Sequence, residues 1–390
     1  MERTLPEIPI SLIRGGTLYW VQEKARLIGP NKWNLSRRLP IIIAIAWLPL
    51  VALAITHGGA SLSGDLESLL TDYRVYARVF IAIPLLVLGQ ITMESHFREM
   101  SRHFLDANLV RKEDLPLFQR IMQKAIRLRD AKLPEILILL LVFMELGYFL
   151  QSRRFPYAGW AMKAGATTLT PAGYYSIFVA HAIFLGLLLL ALWKWVIWIV
   201  VLRDLSKMDL QLDSTDGDLT AGLGFLGEVP KAFVPLVLAI SAVIGATWRA
   251  QLLSDNATLS SYKLPGAFLA VLVLLIFFTP LLLFTPKLIR EKKEGSLTYG
   301  SLQHLHSLQF RQKWVKERNR HIEELLGTTD VSSLADISSS FKNVEDMSVL
   351  PFKKSAAISL LVALTIPIVP ALTAEIPFKE LLKNLLEALH

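Results

Sequence analysis

Long apolar runs separated by polar segments dominate the pattern of this chain. About 20 helical residues cross a hydrocarbon core of about 30 Å, and each of seven runs approaches or exceeds that length. The run 174–202 is the longest and can continue beyond the bilayer. The pattern predicts an all-α fold, a polytopic transmembrane helix bundle with six to seven spanning segments and cytoplasmic helical regions. The seven runs are 39–57, 73–93, 134–151, 174–202, 232–253, 264–286 and 355–374.

Composition agrees with a membrane protein. The chain is 53% hydrophobic and 19% charged, and its mean hydropathy is +0.45. A soluble domain of this size would not bury so much apolar length. Since there is no cysteine, disulfides, thiolate metal sites and cysteine catalysis are excluded. The segment 1–38 lacks an uninterrupted apolar core, so we expect the first spanning helix to act as its own insertion signal.

The polar segments divide the chain into six parts. Two of them, 94–133 and 287–354, are charged and helical in pattern, and an Asp/Gly-rich loop at 203–231 interrupts the largest apolar part. We expect the tail after the last run to form an amphipathic helix that lies in the interface or packs on a partner. The predicted parts are a basic cytoplasmic N-terminal segment (1–38), transmembrane helices 1–2 (39–93), a cytoplasmic amphipathic segment (94–133), transmembrane helices 3–6 (134–286), a cytoplasmic helical region (287–354) and a proline-broken run with its amphipathic helix (355–390).

Basic residues predict the orientation. Lys and Arg number seven in 1–38, nine in 94–133 and twelve in 287–355, against one in 58–74, three in 152–173, one in 254–264 and two in 375–390. The positive-inside rule therefore places the first three segments, and the amino terminus, in the cytoplasm. Anionic lipid headgroups are the simplest partners for these basic segments.

Two ionisable residues lie inside the apolar runs at matching depth. Glu145 is six residues from the outer end of the third run and His181 seven residues from the outer end of the fourth, which gives about 9 Å and about 10 Å. Such groups are costly in hydrocarbon and usually face a partner. We interpret the pair either as proton-responsive groups that line a pathway or as a static interhelical hydrogen bond.

A basic and aromatic cluster marks the inner end of the fourth run. Lys194 lies there among Trp193, Trp195 and Trp198. Aromatic rings and snorkelling lysines are typical of membrane interfaces, so the cluster is predicted to be an interfacial anchor.

The loop after the fourth run is the most distinctive polar stretch. Asp213, Asp216 and Asp218 in a turn can attract cations to a cytoplasmic mouth, although turn formation and helix capping use the same residues. The spacing does not match an EF-hand, and we predict no metal site.

Prolines interrupt the second, sixth and seventh runs. A proline inside a spanning helix frees a backbone carbonyl one turn earlier, which must find a partner within the bundle. Pro84, Pro280, Pro286, Pro367 and Pro370 are therefore candidate hinges.

Several activities have no support in the sequence. The chain lacks a Walker loop, a G-x-S-x-G elbow, an H-E-x-x-H motif and a Rossmann fingerprint. The basic segments contain no recognisable nucleic-acid module. We predict no enzyme activity, no cofactor and no nucleic-acid partner.

Four segments of the second half carry a resemblance to a known family. They are DLSKMDLQLDSTDGDLTAGLGFLG, TYGSLQHLHSLQFRQKW, LLGTTDVSSLADISSSFKNVEDMSVLPF and IPIVPALTAEIPFKELLKNLLEAL. Over about residues 200–390 the chain resembles a family of uncharacterised bacterial multi-pass inner-membrane proteins. The resemblance implies the bacterial inner membrane and no particular activity. Where that family often has His-Pro-Asp, this chain has Ser214-Thr215-Asp216, which weakens a metal or proton role there.

Two functions fit these observations. A channel or transporter for a small ion or solute, proton- or pH-coupled, accounts for Glu145, His181 and the broken helices. A non-transporting scaffold or sensor accounts for the cytoplasmic helices. A second copy of the chain is a candidate partner for either.

Overall fold

Helices form nearly all of the regular structure. The computed structural model describes residues 15, 23–24, 35–56, 68–152, 159–162, 168–254, 258–316 and 329–372. The described helices are α1 (Leu35–Thr56), α2 (Tyr73–Asp106), α3 (Leu115–Asp130), α4 (Lys132–Ser152), α5 (Pro171–Leu205), α6 (Val234–Ser254), α7 (Ser260–Phe278), α8 (Thr285–Phe310), α9 (Thr329–Asp346) and α10 (Lys354–Thr365).

Six described helical segments are long and apolar enough to cross a membrane, and they confirm the all-α transmembrane bundle. Their helices are α1, α2, α5, α6, α7 and α10. The segments of α6 and α10 include adjoining short helical turns, and that of α7 continues through α8. The chain is therefore an integral membrane protein. The six segments are Leu35–Thr56, Tyr73–Asp106, Pro171–Leu205, Gly224–Leu253, Ser260–Lys316 and Lys354–Ala371.

The polar segments meet at one end of the bundle, which we call the polar end. The backbone of Gln211 donates to the carbonyl of Leu109 at 2.8 Å. The backbone of Ser348 donates to the carbonyl of Leu219 at 2.7 Å. Lys287 donates to the carbonyl of Met208. Segments that are far apart in sequence therefore pack against one loop.

The polar end has a core of its own, because α2 and α5 continue past their apolar runs. Phe97, Met100 and Phe104 extend the buried stripe of α2 at helical spacing. Leu205 and Phe118 are fully buried beside it. Extensions of spanning helices thus build the polar end, where the sequence alone suggested separate charged segments.

The opposite end, which we call the far end, holds the starts of α2 and α5. There the guanidinium of Arg249 lies over the ring of Tyr73, 4.9 Å from its centroid, and donates to the carbonyl of Pro370. The indole of Trp160 donates to Asp72 at 3.1 Å. These contacts fix the depth at which the spanning helices end.

Connectivity makes α4 the return crossing between α2 and α5. α2 ends at the polar end and α5 begins at the far end, so the chain must cross between them. α3 lies at the polar end, where Lys124 pairs with Asp204 at 2.7 Å. α4 is not one of the six apolar spans, but its 21 residues measure about 32 Å, which is enough to cross. Its leucine side chains are largely exposed, as a lipid-facing helix requires.

The last apolar run follows α6 in parallel from the polar end to the far end. Gly227 lies against Pro351, and the hydroxyl of Ser241 donates to the carbonyl of Ala363 at 2.9 Å. The third contact between the two elements, from the guanidinium of Arg249 to the carbonyl of Pro370, lies at the far end. Within the described residues the run therefore reaches the far end and does not turn back. The amphipathic tail predicted after it lies outside the described residues, as does most of the basic N-terminal segment.

Each candidate hinge proline lies at a departure from α-helical geometry. A π-helical turn, Ala77–Ala82, comes directly before Pro84. A 3₁₀ segment, Thr279–Phe284, lies between α7 and α8 and contains Pro280, and Pro286 opens α8. Pro367 and Pro370 lie in the short 3₁₀ and α turns after α10. Their role as hinges stays a prediction.

Candidate functional site

Glu145 and His181 meet between α4 and α5. His181 Nε2 lies 3.2 Å from Glu145 Oε1, and the imidazole stands edge-on to Phe149 with ring centroids 5.5 Å apart. His181 is 8% exposed, whereas the side chain of Glu145 is one-third exposed. Equal depth on antiparallel neighbours thus brings the two into hydrogen-bond distance. Their role in a pathway stays a prediction.

Two π-helical turns lie in the same half of the bundle. In α5 the turn Ser176–His181 ends at the histidine, and in α2 the turn Ala77–Ala82 contains Arg78, which is 7% exposed. α5 contacts the α2 turn directly. Ser176 is fully buried, and its hydroxyl has no hydrogen-bond partner within the described residues. Single π turns are frequent at functional sites because they displace side chains from regular helical positions.

A second polar group lies nearer the polar end and joins α1, α2 and α5. Arg38 is 1% exposed and donates through Nη2 to Gln90 Oε1 at 3.1 Å, while its Nε and Nη1 find no partner in the described part of the chain. Glu94 is 4% exposed and accepts from Arg98 at 3.1 Å. Lys194 of α5 interacts electrostatically with Arg38 and Glu94. Charges from three helices therefore gather inside the bundle.

The sequence patterns missed Arg38 and Glu94. Arg38 was assigned to the cytoplasmic lead-in and Glu94 to the charged segment after helix two, because each sits at the edge of an apolar run. The sequence contained one signal that Glu94 is buried. Phe97 and Phe104 continue the apolar spacing of α2 past its run, so Glu94 falls inside a buried stripe.

Lys194 and Trp198 line a small cavity that is partly open. The other walls come from Met93 and Phe97 of α2 and from the 3₁₀ segment Gly224–Phe233 before α6. The cavity measures about 20 Å³, which is room for about one water molecule. Within the described residues the indole N–H of Trp198 has no acceptor.

This environment corrects the prediction of an interfacial anchor for Trp198. For Trp193, Lys194 and Trp195, which are partly exposed, that role stays a prediction. Trp198 is 2% exposed and packs on Phe233, with ring centroids 5.4 Å apart. The indole N–H groups of Trp193 and Trp195 are also buried and lack acceptors among the described residues. α2, α3 and the segment before α6 continue beside α5 at this depth, so protein covers rings that an isolated helix would present to headgroups.

The aspartate loop, residues 209–223, is a structural element of the polar end. Asp218 accepts three backbone N–H groups, from Thr220 at 2.7 Å, Gly222 at 3.0 Å and Gly224 at 2.7 Å. Leu219 and Ala221 adopt positive φ angles of 55° and 54°, which cost energy for residues other than glycine. The carboxylate offsets that cost by fixing the turn. Asp218 therefore has a structural role in the turn, and cation attraction by its exposed carboxylate stays a prediction.

The other two loop carboxylates also bind within the loop. Asp213 accepts from the backbone and hydroxyl of Thr215, at 2.9 and 2.7 Å, and Asp216 accepts from the backbone of Asp218 at 2.9 Å. Cation attraction by Asp213 and Asp216, which are exposed, stays a prediction. The described residues contain no group of three or more His, Asp or Glu side chains that could hold a metal ion.

Comparisons with known proteins give no relative. No family model, curated protein or solved structure matches this chain at a significant level. Arguments about function therefore rest on the geometry above.

Proposed function

We propose that this integral membrane protein moves a small ion or solute across the bilayer along the contact between α2 and α5, which we call the α2–α5 seam. The observation that carries the proposal is the presence of ionisable side chains at two depths of this one helix pair, three of them buried and Lys194 partly buried. Arg78 and His181 lie toward the far end, and Glu94 and Lys194 toward the polar end. Helical rise separates the two depths by about 24 Å along α2 and about 20 Å along α5.

The energetic cost of these groups supports a functional role. An ionisable side chain inside a membrane costs about 2.5–3.5 kcal/mol even on lenient insertion scales, and such residues typically mark ion pathways and proton relays. A bundle that only anchored other proteins could fill the same positions with leucine. The π turns beside Arg78 and His181 give this half of the seam irregular backbone, which membranes tolerate where it lines a cavity or packs inside protein.

The orientation follows from charge. The polar end carries the segments with the highest counts of Lys and Arg, so we place it in the cytoplasm and the protein in a bacterial inner membrane. Juxtamembrane basic residues there attract anionic headgroups.

Proteoliposomes test the transport proposal. Purified protein is reconstituted in vesicles loaded with potassium chloride and a pH-sensitive dye, and chloride and proton fluxes are followed after valinomycin imposes a potential. We expect flux above that of empty vesicles, with a pH dependence that shifts in Glu145→Gln. Glu113→Gln removes an exposed carboxylate outside the seam and serves as the matched control. Flux equal to that of empty vesicles over pH 5 to 8 would overturn the proposal for these ions.

One observation favours a scaffold instead. α8 extends past the bundle as a hairpin with α9, and Leu297, Leu305 and Leu308 are each about half exposed or more. Exposed apolar residues on a helix outside the membrane can mark a docking surface. The double variant Leu297→Gln/Leu305→Gln should leave flux intact if transport is the function. If the wild-type protein carries no flux and the double variant loses the cellular role of the protein, the protein is a scaffold.

A further inference from the structure

The cavity beside Lys194 contains a buried hydrogen-bond donor without an acceptor. Two polar side chains line it, the ammonium of Lys194 and the indole of Trp198, and every other lining side chain is apolar. The indole N–H of Trp198 is buried and has no acceptor within the described residues, whereas the side chain of Lys194 is only partly buried. A buried donor without an acceptor costs about 1–3 kcal/mol, and more if it is charged. A ligand that accepts hydrogen bonds would remove this cost.

The charge around the cavity has an excess of cations. Lys194 interacts electrostatically with Arg38, Arg129 and Glu94. The carboxylate of Glu94 already accepts from Arg98, and Arg129 pairs with Asp130 at 2.6 Å. Arg38 and Lys194 remain without a carboxylate in contact among the described residues. Arg38 is buried, and buried charges are normally paired, so the partner that this region lacks is an anion.

The lining of the cavity limits the class of anion. The cavity is partly open, with space of about 20 Å³ for about one water-sized particle, and its lining supplies only two donors. Aromatic and aliphatic walls offer no further donors that a polyatomic oxyanion would need. We propose that Lys194 and Trp198 form a binding site for a monatomic anion of the size of chloride. This deepens the proposed function by naming the class of transported ion, and in that respect it rests on the α2–α5 seam being the route.

Binding is tested apart from transport. The full chain is placed in nanodiscs of neutral phosphatidylcholine, and sodium gluconate is replaced by sodium chloride at constant ionic strength. We expect a saturable rise in melting temperature, because a ligand that binds only the folded state stabilises it. We also expect protein-dependent broadening of the chloride-35 NMR line.

Two variants locate the site. Lys194→Met keeps the side-chain length but removes the charge, and it should weaken chloride binding at least about tenfold. Trp198→Phe keeps the packing against Phe233 and removes one donor, so it should weaken chloride binding several-fold. If Lys194→Met fails to fold, the chloride response of Trp198→Phe tests the site. Lys124→Met is the matched control, since Lys124 is an exposed lysine of the same end that pairs with Asp204, and its chloride response should equal that of the wild type.

Each outcome decides the inference. A response that is lost in Lys194→Met and reduced in Trp198→Phe supports it. No difference between chloride and gluconate, or an unchanged response in both variants, overturns it and leaves a bound water as the occupant. Stabilisation by phosphatidylglycerol that replaces the chloride response also overturns it, in favour of a lipid phosphate. Chloride binding without chloride flux keeps the site and removes the transport proposal. Flux that is insensitive to Lys194→Met overturns the assignment of this site to the transport route.

Discussion

The aspartate loop and the α2–α5 seam both gather polar side chains, but they satisfy them differently. In the loop, the carboxylate of Asp218 accepts three backbone N–H groups, and Ser214 packs so closely on α8 that a side chain at Gly295 would collide with its hydroxyl. In the seam Trp198, and beside it Arg38 of α1, keep buried N–H groups for which the described residues supply no acceptor. The loop uses polarity to hold the fold, whereas the seam retains polarity that the fold does not use.

This difference separates structural from functional residues more clearly than residue type does. The loop has the more conspicuous sequence, because its aspartates and glycines are closely spaced between two apolar runs. The seam is inconspicuous in the sequence because its charged residues occur singly at the edges of apolar runs. Substitutions in the loop should therefore change stability, and those in the seam should change activity or ion dependence.

Asp218→Ala should give the largest loss of stability. Three backbone donors lose their acceptor, and the positive φ angles of Leu219 and Ala221 lose their support. We expect a loss of about 2–4 kcal/mol, since hydrogen bonds to charged groups contribute about 1.5–3 kcal/mol each but this carboxylate is exposed. Thermal unfolding in detergent measures it. A melting temperature within about 1 °C of the wild type would show that the three bonds do not hold the loop.

Gly295→Val should loosen the α8–α9 hairpin from the loop. The added side chain would meet the hydroxyl of Ser214 and a methyl of Val344. Overpacking of this kind costs about 1–3 kcal/mol. Limited proteolysis should cut the hairpin faster than in the wild type. Gly300→Ala, which would meet only the ring edge of Phe341, is the milder control.

Glu145→Gln should change stability little and pH dependence more. Interhelical hydrogen bonds in membranes contribute about 0.6 kcal/mol on average, and glutamine keeps an oxygen near His181. We expect a shift in melting temperature of no more than about 2 °C. The pH profile of flux should move, since the glutamine cannot exchange a proton. A large loss of stability with an unchanged pH profile would make the pair structural, like Asp218.

Asp330→Asn should have the smallest effect. Lys313 and Trp314 donate to this carboxylate at 2.5 and 3.2 Å, and they hold the pKa of Asp330 below its ordinary value. A carboxyl group with a lowered folded-state pKa stabilises the fold above its unfolded-state pKa, and that contribution is lost as the pH falls through the folded-state pKa. The variant and the wild type should therefore differ slightly at neutral pH and converge below about pH 4. Melting curves from pH 3 to 7 check this, and a gap that widens in acid would contradict it.

The spans and the pairing of Glu145 with His181 could be reasoned from sequence because both depend on position along a helix. A spanning helix has a fixed rise per residue, so counting residues gives depth, and equal depth on adjacent antiparallel helices permits contact. The surroundings of Trp198 could not be reasoned in this way. Protein or lipid can cover an aromatic residue near the end of an apolar run, and only the packing of α2 and the segment before α6 decides which.

The sequence by itself determined that this chain crosses a membrane, where most crossings lie and which segments carry positive charge. Those properties follow from the free energy of transferring each segment from water to hydrocarbon, which depends on local composition. The tertiary structure alone decided that Asp218 holds its own loop, that protein covers Trp198, and that Arg38, Glu94 and Lys194 meet. These facts depend on contacts between residues that are distant along the chain, and no local pattern encodes which distant surfaces will pair.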